Sequence, residues 1–267
     1  MFPAGLIISM IAMAAGIGGA VFFSPLFFLV LKLEPQVAFA IGLLIEIVGF
    51  ESGAIGYARQ KLIEYRCAKL ALKASIPAAI AGVFIADFIP PIVLLAIFGG
   101  GMLLLAVVFL LPEKKLLPKD PSLHEPHHHR IWDFHWEKID FPFYGLSAIG
   151  GLFLGMVSAG LGETNEYNIE KRLNMPPARA SGTSVFIVII TALAASVIHI
   201  AEFVIHSNYG IFEDVIAIII FAGPGSIIGA QLGVKGSKYL SHNKKKILLA
   251  IIFFIISILT FLRVISG

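Results

Sequence analysis

Cysteine is almost absent from this sequence. Cys67 is the only one, so no intrachain disulfide can form. It has no Cys or His neighbour at metal-ligand spacing and reads as a packing residue. Charge is scarce too: Asp, Glu, Lys and Arg make up 14% of 267 residues, against about a quarter in a soluble domain. No nucleotide-binding loop, nucleophile elbow or zinc motif occurs, which argues against an ATP-driven pump acting alone. The N-terminus lacks a basic stretch, and its apolar run is longer than a signal h-region, so no cleavable signal peptide is expected. The net charge is only +3; no nucleic-acid partner is expected, and the placement of the charges matters more than their sum.

What fills the space is apolar sequence, 58% hydrophobic with a mean hydropathy of +0.90. A helix crossing a bilayer needs roughly 20 apolar residues, and several stretches qualify. Pro91–Leu111, Ala180–Ala201 and Val215–Val234 carry no Asp, Glu, Lys or Arg; Val37–Ala58 carries only Glu46 and Glu51, Leu70–Ile89 only Lys73 and Asp87, and Ile247–Ile265 only Arg263. Met1–Leu31 and Phe141–Gly162 are uncharged but broken by glycines. The expected fold is an all-α polytopic membrane protein.

Glycine and proline landmarks recur. Gly16-Ile17-Gly18 pairs with Gly160-Leu161-Gly162, Pro35 with Pro177, and Pro77 with its Gly82 pairs with Pro224 and Gly229. Residues 1–111 and 141–267 therefore read as two copies of one unit, each a glycine-broken segment followed by three plain helices, joined by a linker at 112–140. Charge orients them. If all eight segments cross, the Lys and Arg residues divide almost evenly between the two sides. If each broken segment instead returns to the side it entered from, all of them but Lys32 and Arg263 gather on one side, as the positive-inside rule requires. The preferred arrangement is thus six crossings plus two re-entrant segments, with the copies inverted. Length supplies the competing reading: Phe141–Ser158 as a helix spans roughly 27 Å, nearly a whole bilayer core.

The linker, "PEKKLLPKDPSLHEPHHHRIWDFHWEKID", is polar. His124, His127, His128, His129 and His135 could hold a divalent metal, but nothing fixes their geometry, and a solvated cytoplasmic loop is the expected reading. Trp132, Phe134 and Trp136 suit the headgroup level.

Chemistry is expected at the glycine breaks. A helix interrupted at mid-membrane exposes backbone N–H groups at the start of its second half, and these attract anions. Gly16, Gly18 and Gly19 suit the first such site, Gly160 and Gly162 the second; close helix packing is the alternative. Glu163, Glu166 and Glu170 follow the second break on one helical face, with Asn165 and Asn168 beside it. Such a leg cannot face lipid. Glu46 sits at the centre of Val37–Ala58, on a face otherwise made of Gly42, Gly49, Gly53 and Gly56, and points at a neighbouring helix. Glu51 lies about 140° further round. Glu46, Glu51, Glu163, Glu166 and His199 are the candidates for carrying a proton. Asn165, Thr183 and Ser184 are candidates for binding an oxyanion, although a hydroxyl on a membrane helix more often bonds its own backbone.

These residues carry a family resemblance. Gly160-Leu161-Gly162, Pro177, Ala180-Ser181-Gly182-Thr183-Ser184, His199 and Pro224 with Gly229 are similar to the pattern of the TauE/SafE membrane permeases. The first copy resembles it through Gly16, Gly18, Gly19, Pro25, Pro35, Ala38, Tyr57, Pro77 and Gly82. The resemblance implies a secondary exporter of sulfite or a sulfur-containing organic anion. Two departures stand out. The second break continues as Glu163-Thr164-Asn165-Glu166 where glycine is usual, and Ile41-Gly42 occupies the first copy's Thr-Ser position. An ionised Glu163 would compete with an anion, so an anion carrier requires Glu163 to be protonated during its cycle.

The expectation is therefore a proton-coupled secondary transporter of a small anion, working by alternating access, with no enzymatic activity, resident metal or cofactor. Its surroundings are the bilayer of the cell membrane, with the linker cytoplasmic, and it is a monomer or a homodimer. An anion or cation channel, and an intramembrane metal-dependent enzyme built on Glu163, Glu166 and His199, are the alternatives.

Overall fold

A computed structural model of the chain describes residues 1–110, 138–205, 209–236 and 242–266. The histidine cluster and the aromatics of the linker lie outside these residues. The described residues form helices and no strand. Six helices are long and apolar enough to cross a membrane: α3 (Pro35–Arg59), α4 (Tyr65–Asp87), α5 (Pro91–Leu110), α8 (Pro177–Ile205), α9 (Tyr209–Gly236) and α10 (His242–Ser266). Their outward faces carry large apolar side chains, among them Phe84, Leu104, Val197, Phe221, Ile251 and Leu262. Glu46, Ser75, Asn165 and Thr191 are buried within. A water-soluble protein rarely exposes so much apolar surface; this is an all-α polytopic membrane protein.

The two broken segments are helical hairpins. α1 (Phe2–Ala15) is followed by a break and by α2 (Ala20–Pro25), which runs on as a π-helical turn, Leu26–Val30. α6 (Phe141–Val157) is followed by a break and α7 (Leu161–Tyr167), which runs on as the π-helical turn Asn168–Arg172. α7 folds back along α6: Asn168 Nδ2 donates to Phe143 O, Ser147 Oγ donates to Asn165 Oδ1, and Gly150 lies against Leu161 and Thr164. α2 likewise runs antiparallel to α3, with Gly19 beside Phe50 and Ser24 beside Gly42.

Helix directions follow from such pairings. Val48 meets Gly223 and Gly56 meets Val234, so α3 and α9 are parallel. Tyr65 meets the Phe186 ring edge-to-face and Ser75 bonds Thr191, so α4 and α8 are parallel. Gly99 bonds Ser257 and Phe109 packs on Phe253, so α5 and α10 are antiparallel. Short connections after α3 and α4 reverse the chain each time. One end of the bundle thus gathers Arg59, Lys61, Arg66, Lys171, Arg172 and Arg179, while Lys32 and Arg263 lie at the other, where Arg263 donates to Leu33 O.

The two halves repeat in backbone detail at a spacing of 142 residues. The left-handed helix ends at Gly16 and Ser158, the π-turns starting at Leu26 and Asn168, the left-handed Lys32 and Asn174, and the helix starts at Pro35 and Pro177 all correspond. This register pairs Gly18 with Gly160, two residues away from the glycine-by-glycine match in the sequence. The match followed residue type, whereas the backbone accepts Ser158 in the left-handed role of Gly16, its hydroxyl anchored on Phe39 O at 2.7 Å.

Each hairpin leans on the other half. α1 packs on α9 and α6 on α4. The contacts are backbone against backbone through glycine: Gly229 against Leu6, Gly225 against Phe2, Gly82 against Leu152 and Gly155 against Ala79. Lipid offers no hydrophobic drive for helix association, so close packing of this kind holds membrane helices together. Buried hydroxyl pairs add to each seam, Ser9 with Ser226 and Ser75 with Thr191.

Candidate functional site

The two breaks meet. A Cβ placed on Gly162 would lie 3.0 Å from the Gly18 nitrogen, so the start of α7 and the break before α2 touch through bare backbone. Gly16 (φ 79°) ends α1 in a left-handed conformation, as Ser158 (φ 57°) ends α6, and Gly160 (φ 96°) caps the start of α7, turning the chain into its second arm. The starts of both second arms therefore lie in one small region.

Two carboxyl groups stand at this junction. Glu46, fully buried in mid-α3, accepts the Gly19 N–H on Oε1 at 2.5 Å. Its Oε2 is buried with no hydrogen-bond partner. Glu163, in the first turn of α7, is 6% exposed, and both its oxygens are buried near the N–H groups of Gly160 and of Glu163 itself without a well-formed hydrogen bond. The two side chains are near enough to repel each other when both are ionised. Asn165 is fully buried; its Oδ1 is taken by Ser147 and its Nδ2 has no partner. Unsatisfied buried polar atoms are rare and costly, and four of them fall on the side chains of Glu46, Glu163 and Asn165.

Hydroxyls pin the second break. Ser184 Oγ donates to Gly162 O at 2.9 Å and Thr164 Oγ1 to Gly160 O at 2.7 Å. Glu166 accepts from Ser181 Oγ at 2.7 Å and lies beside Gly16, tying α7, α8 and the first break together.

The structure therefore gathers Gly16, Gly18, Gly19, Gly160, Gly162, Glu46, Glu163, Asn165, Glu166 and Ser184 in one place. Three expected residues stand apart. Thr183 Oγ1 receives the Glu64 N–H at 2.9 Å and steadies the connection before α4. Glu51 is exposed on the outer side of α3. His199 is buried, but it lies fifteen residues beyond Ser184 on α8, roughly 22 Å along the axis. Ser147 and Ser24 belong to the site's surroundings and were not expected; Ser181, which bonds Glu166, entered the sequence reading only through the family pattern. The signal was a lone serine inside an otherwise apolar helix, as at Ser24 and Ser147. A separate cavity of about 330 Å³ between α1, α9 and α10 is apolar, walled by Met10, Ile11, Leu232 and Leu248, and does not touch the breaks.

At the basic end, the mouth of the second hairpin is charged. Arg172 Nη2 donates to both Asp140 oxygens at 2.8 and 3.0 Å, and this contact holds the Asp140 carboxyl below the ordinary carboxylate range. Arg179 pairs with Glu64 at 3.3 Å, joining α8 to the loop between α3 and α4.

A family model described as "Sulfite exporter TauE/SafE" matches residues 1–260. No curated protein and no solved structure matches the chain.

Proposed function

Because this chain belongs to the TauE/SafE sulfite exporter family, whose members are membrane transporters, we propose that it is a secondary exporter of a small anion, coupled to protons. The anion is sulfite, another sulfur oxyanion or a small organic acid. The observation that carries this reading is the meeting of two helix breaks with two buried carboxyl groups between them. Backbone N–H groups at a helix start bind anions, and Asn165 Nδ2 adds a donor. Glu163 and Glu46 supply carboxyl groups that can take up a proton when the anion arrives.

In this reading the two hairpins are re-entrant and the halves inverted. The antiparallel folding of α7 on α6, the opposite directions of α3 and α8, and the 142-residue repeat support both. The basic end, with the linker 112–140, faces the cytoplasm of a cell whose plasma membrane the protein spans. Alternating access comes from one inverted half rocking on the other. The transporter works with lipid and substrate alone, as a monomer or homodimer, and catalyses no covalent chemistry. Among the described residues no three His, Cys, Asp or Glu side chains converge as a metal site, so a metal-dependent enzyme on Glu163, Glu166 and His199 has no geometric support.

Glu163→Gln in proteoliposomes is the test. It should abolish sulfite movement driven by a pH gradient and leave sulfite counterflow. Unchanged pH-driven transport would remove Glu163 from the proton path. The unpartnered carboxyl oxygens also suit a cation carrier; competition for transport by cations and not by sulfite would select that reading.

A further inference from the structure

Glu46 takes the place an anion would occupy. The carboxylate reaches from the middle of α3 to the N–H of Gly19, the residue that starts the helical run Ala20–Val30. The fit is tight on every side. A Cβ on Gly18 would come within 2.8 Å of Oε1, and one on Gly19 within 2.6 Å of the Phe50 ring. One carboxyl oxygen is bonded, while the other is buried and has no partner. Across the junction Asn165 Nδ2, also buried and unpartnered, offers a second donor.

Among the described residues no cation balances Glu46. α1, α2 and α5 contain no Asp, Glu, Lys, Arg or His, and α6 none either. The group that faces Glu46 is Glu163 of α7, another acid; Glu166 lies beyond it, bonded to Ser181 beside Gly16. Arg179 at the start of α8 is paired with Glu64, Lys235 is at the end of α9, and His199 lies far down α8. Glu51, on Glu46's own helix, is exposed on another face.

We propose that the Glu46 carboxylate is a tethered anion lodged in the first break, and that the transported anion replaces it there. The inference rests on the anion-carrier reading and adds a coupling rule to it. Substrate and ionised Glu46 exclude one another, so the break accepts substrate only once Glu46 has been protonated and has released the Gly19 N–H. Substrate binding is thereby tied to proton uptake at Glu46. The proton is released when the anion leaves and the carboxylate returns to the Gly19 N–H.

The experiment measures sulfite binding to the purified full-length protein, wild type, Glu46→Gln and Glu46→Asp, at pH 5.5 and pH 8, by calorimetry. Comparison at one pH cancels sulfite's own protonation. Glu46→Gln should bind sulfite about tenfold tighter than wild type at pH 8, the scale of one unit of proton affinity. The difference should close at pH 5.5, where wild-type Glu46 is neutral when the site fills. Infrared difference spectra give a second readout if Glu46→Gln fails to fold. Sulfite added to wild type at pH 8 should convert a carboxylate band to a protonated carboxyl band, displaced in Glu46→Asp. Equal or weaker binding by Glu46→Gln at pH 8, or no carboxyl band change in wild type, overturns the proposal and leaves the anion carrier standing. If neither wild type nor either variant binds sulfite at either pH, the anion-carrier reading fails and takes this inference with it.

Discussion

The two helix breaks share a backbone and differ in chemistry. The first continues as Ala20–Val30, wholly apolar apart from Ser24, and its exposed N–H is filled by a carboxylate borrowed from α3. The second continues as "LGETNEYNIEKR", carrying its own carboxylates and amides, with its exposed carbonyls held by Thr164 and Ser184. In the proposed cycle the first break is the anion seat. The other supplies the polar side chains and leads out through Lys171 and Arg172 to the basic end. Equivalent geometry does not mean equivalent duty: the repeat sets where the N–H groups point, and local sequence decides what meets them.

The comparison can be broken hardest at the glycine seams under each hairpin. Gly229→Leu beneath the first and Gly155→Leu beneath the second both drive a side chain into opposing backbone. Each should cost about 3 kcal/mol or more, read as lost folded yield and early melting in detergent. Loss from only one of them would mean that the two seams do not bear equally.

A smaller effect separates the left-handed positions. Gly160→Ala should destabilise by about 1–2 kcal/mol, the penalty for a Cβ in that conformation. Ser158→Gly relieves the same penalty but loses the bond to Phe39 O, so it should fall within about 1 kcal/mol of wild type. Thermal melts of the two variants side by side measure this. Equal losses would show that Ser158 and Gly16 are not interchangeable.

The smallest effect lies at the mouth of the second hairpin, because the first has no counterpart to the Arg172–Asp140 pair. Arg172→Gln should lower the melting temperature slightly at pH 7. Asp140's folded pKa lies below its ordinary value of 3.8, so its contribution exists above that pH and is lost as the pH falls through the folded value. The variant and wild type should therefore begin to converge as the pH falls below about 3.8 and coincide once it has passed the folded value.

Much of this was legible in sequence. Apolar run lengths give the six long helices, because the bilayer imposes a length that composition reveals. The breaks announced themselves through Gly16 and Gly160, and Glu46 through its isolation among glycines. Which side chains meet was not legible. Thr183 and Ser184 are neighbours in sequence, yet 100° of helical rotation sends one to the α3–α4 loop and the other to Gly162. His199 shares a helix with Ser184 but sits too far along it. Glu46's partner is a backbone N–H, and no residue type in the sequence marks one.

The crossing of hairpins between halves has a consequence for biosynthesis. When α1 leaves the ribosome, the surface it needs, around Gly225 and Gly229, has not been translated. Some 210 residues must follow, which at about 5–20 residues per second takes roughly 10–40 s. During that interval the first half holds a hairpin without its mate. Completion of the membrane bundle waits on α9, and two half-length chains made together should assemble where either alone would not.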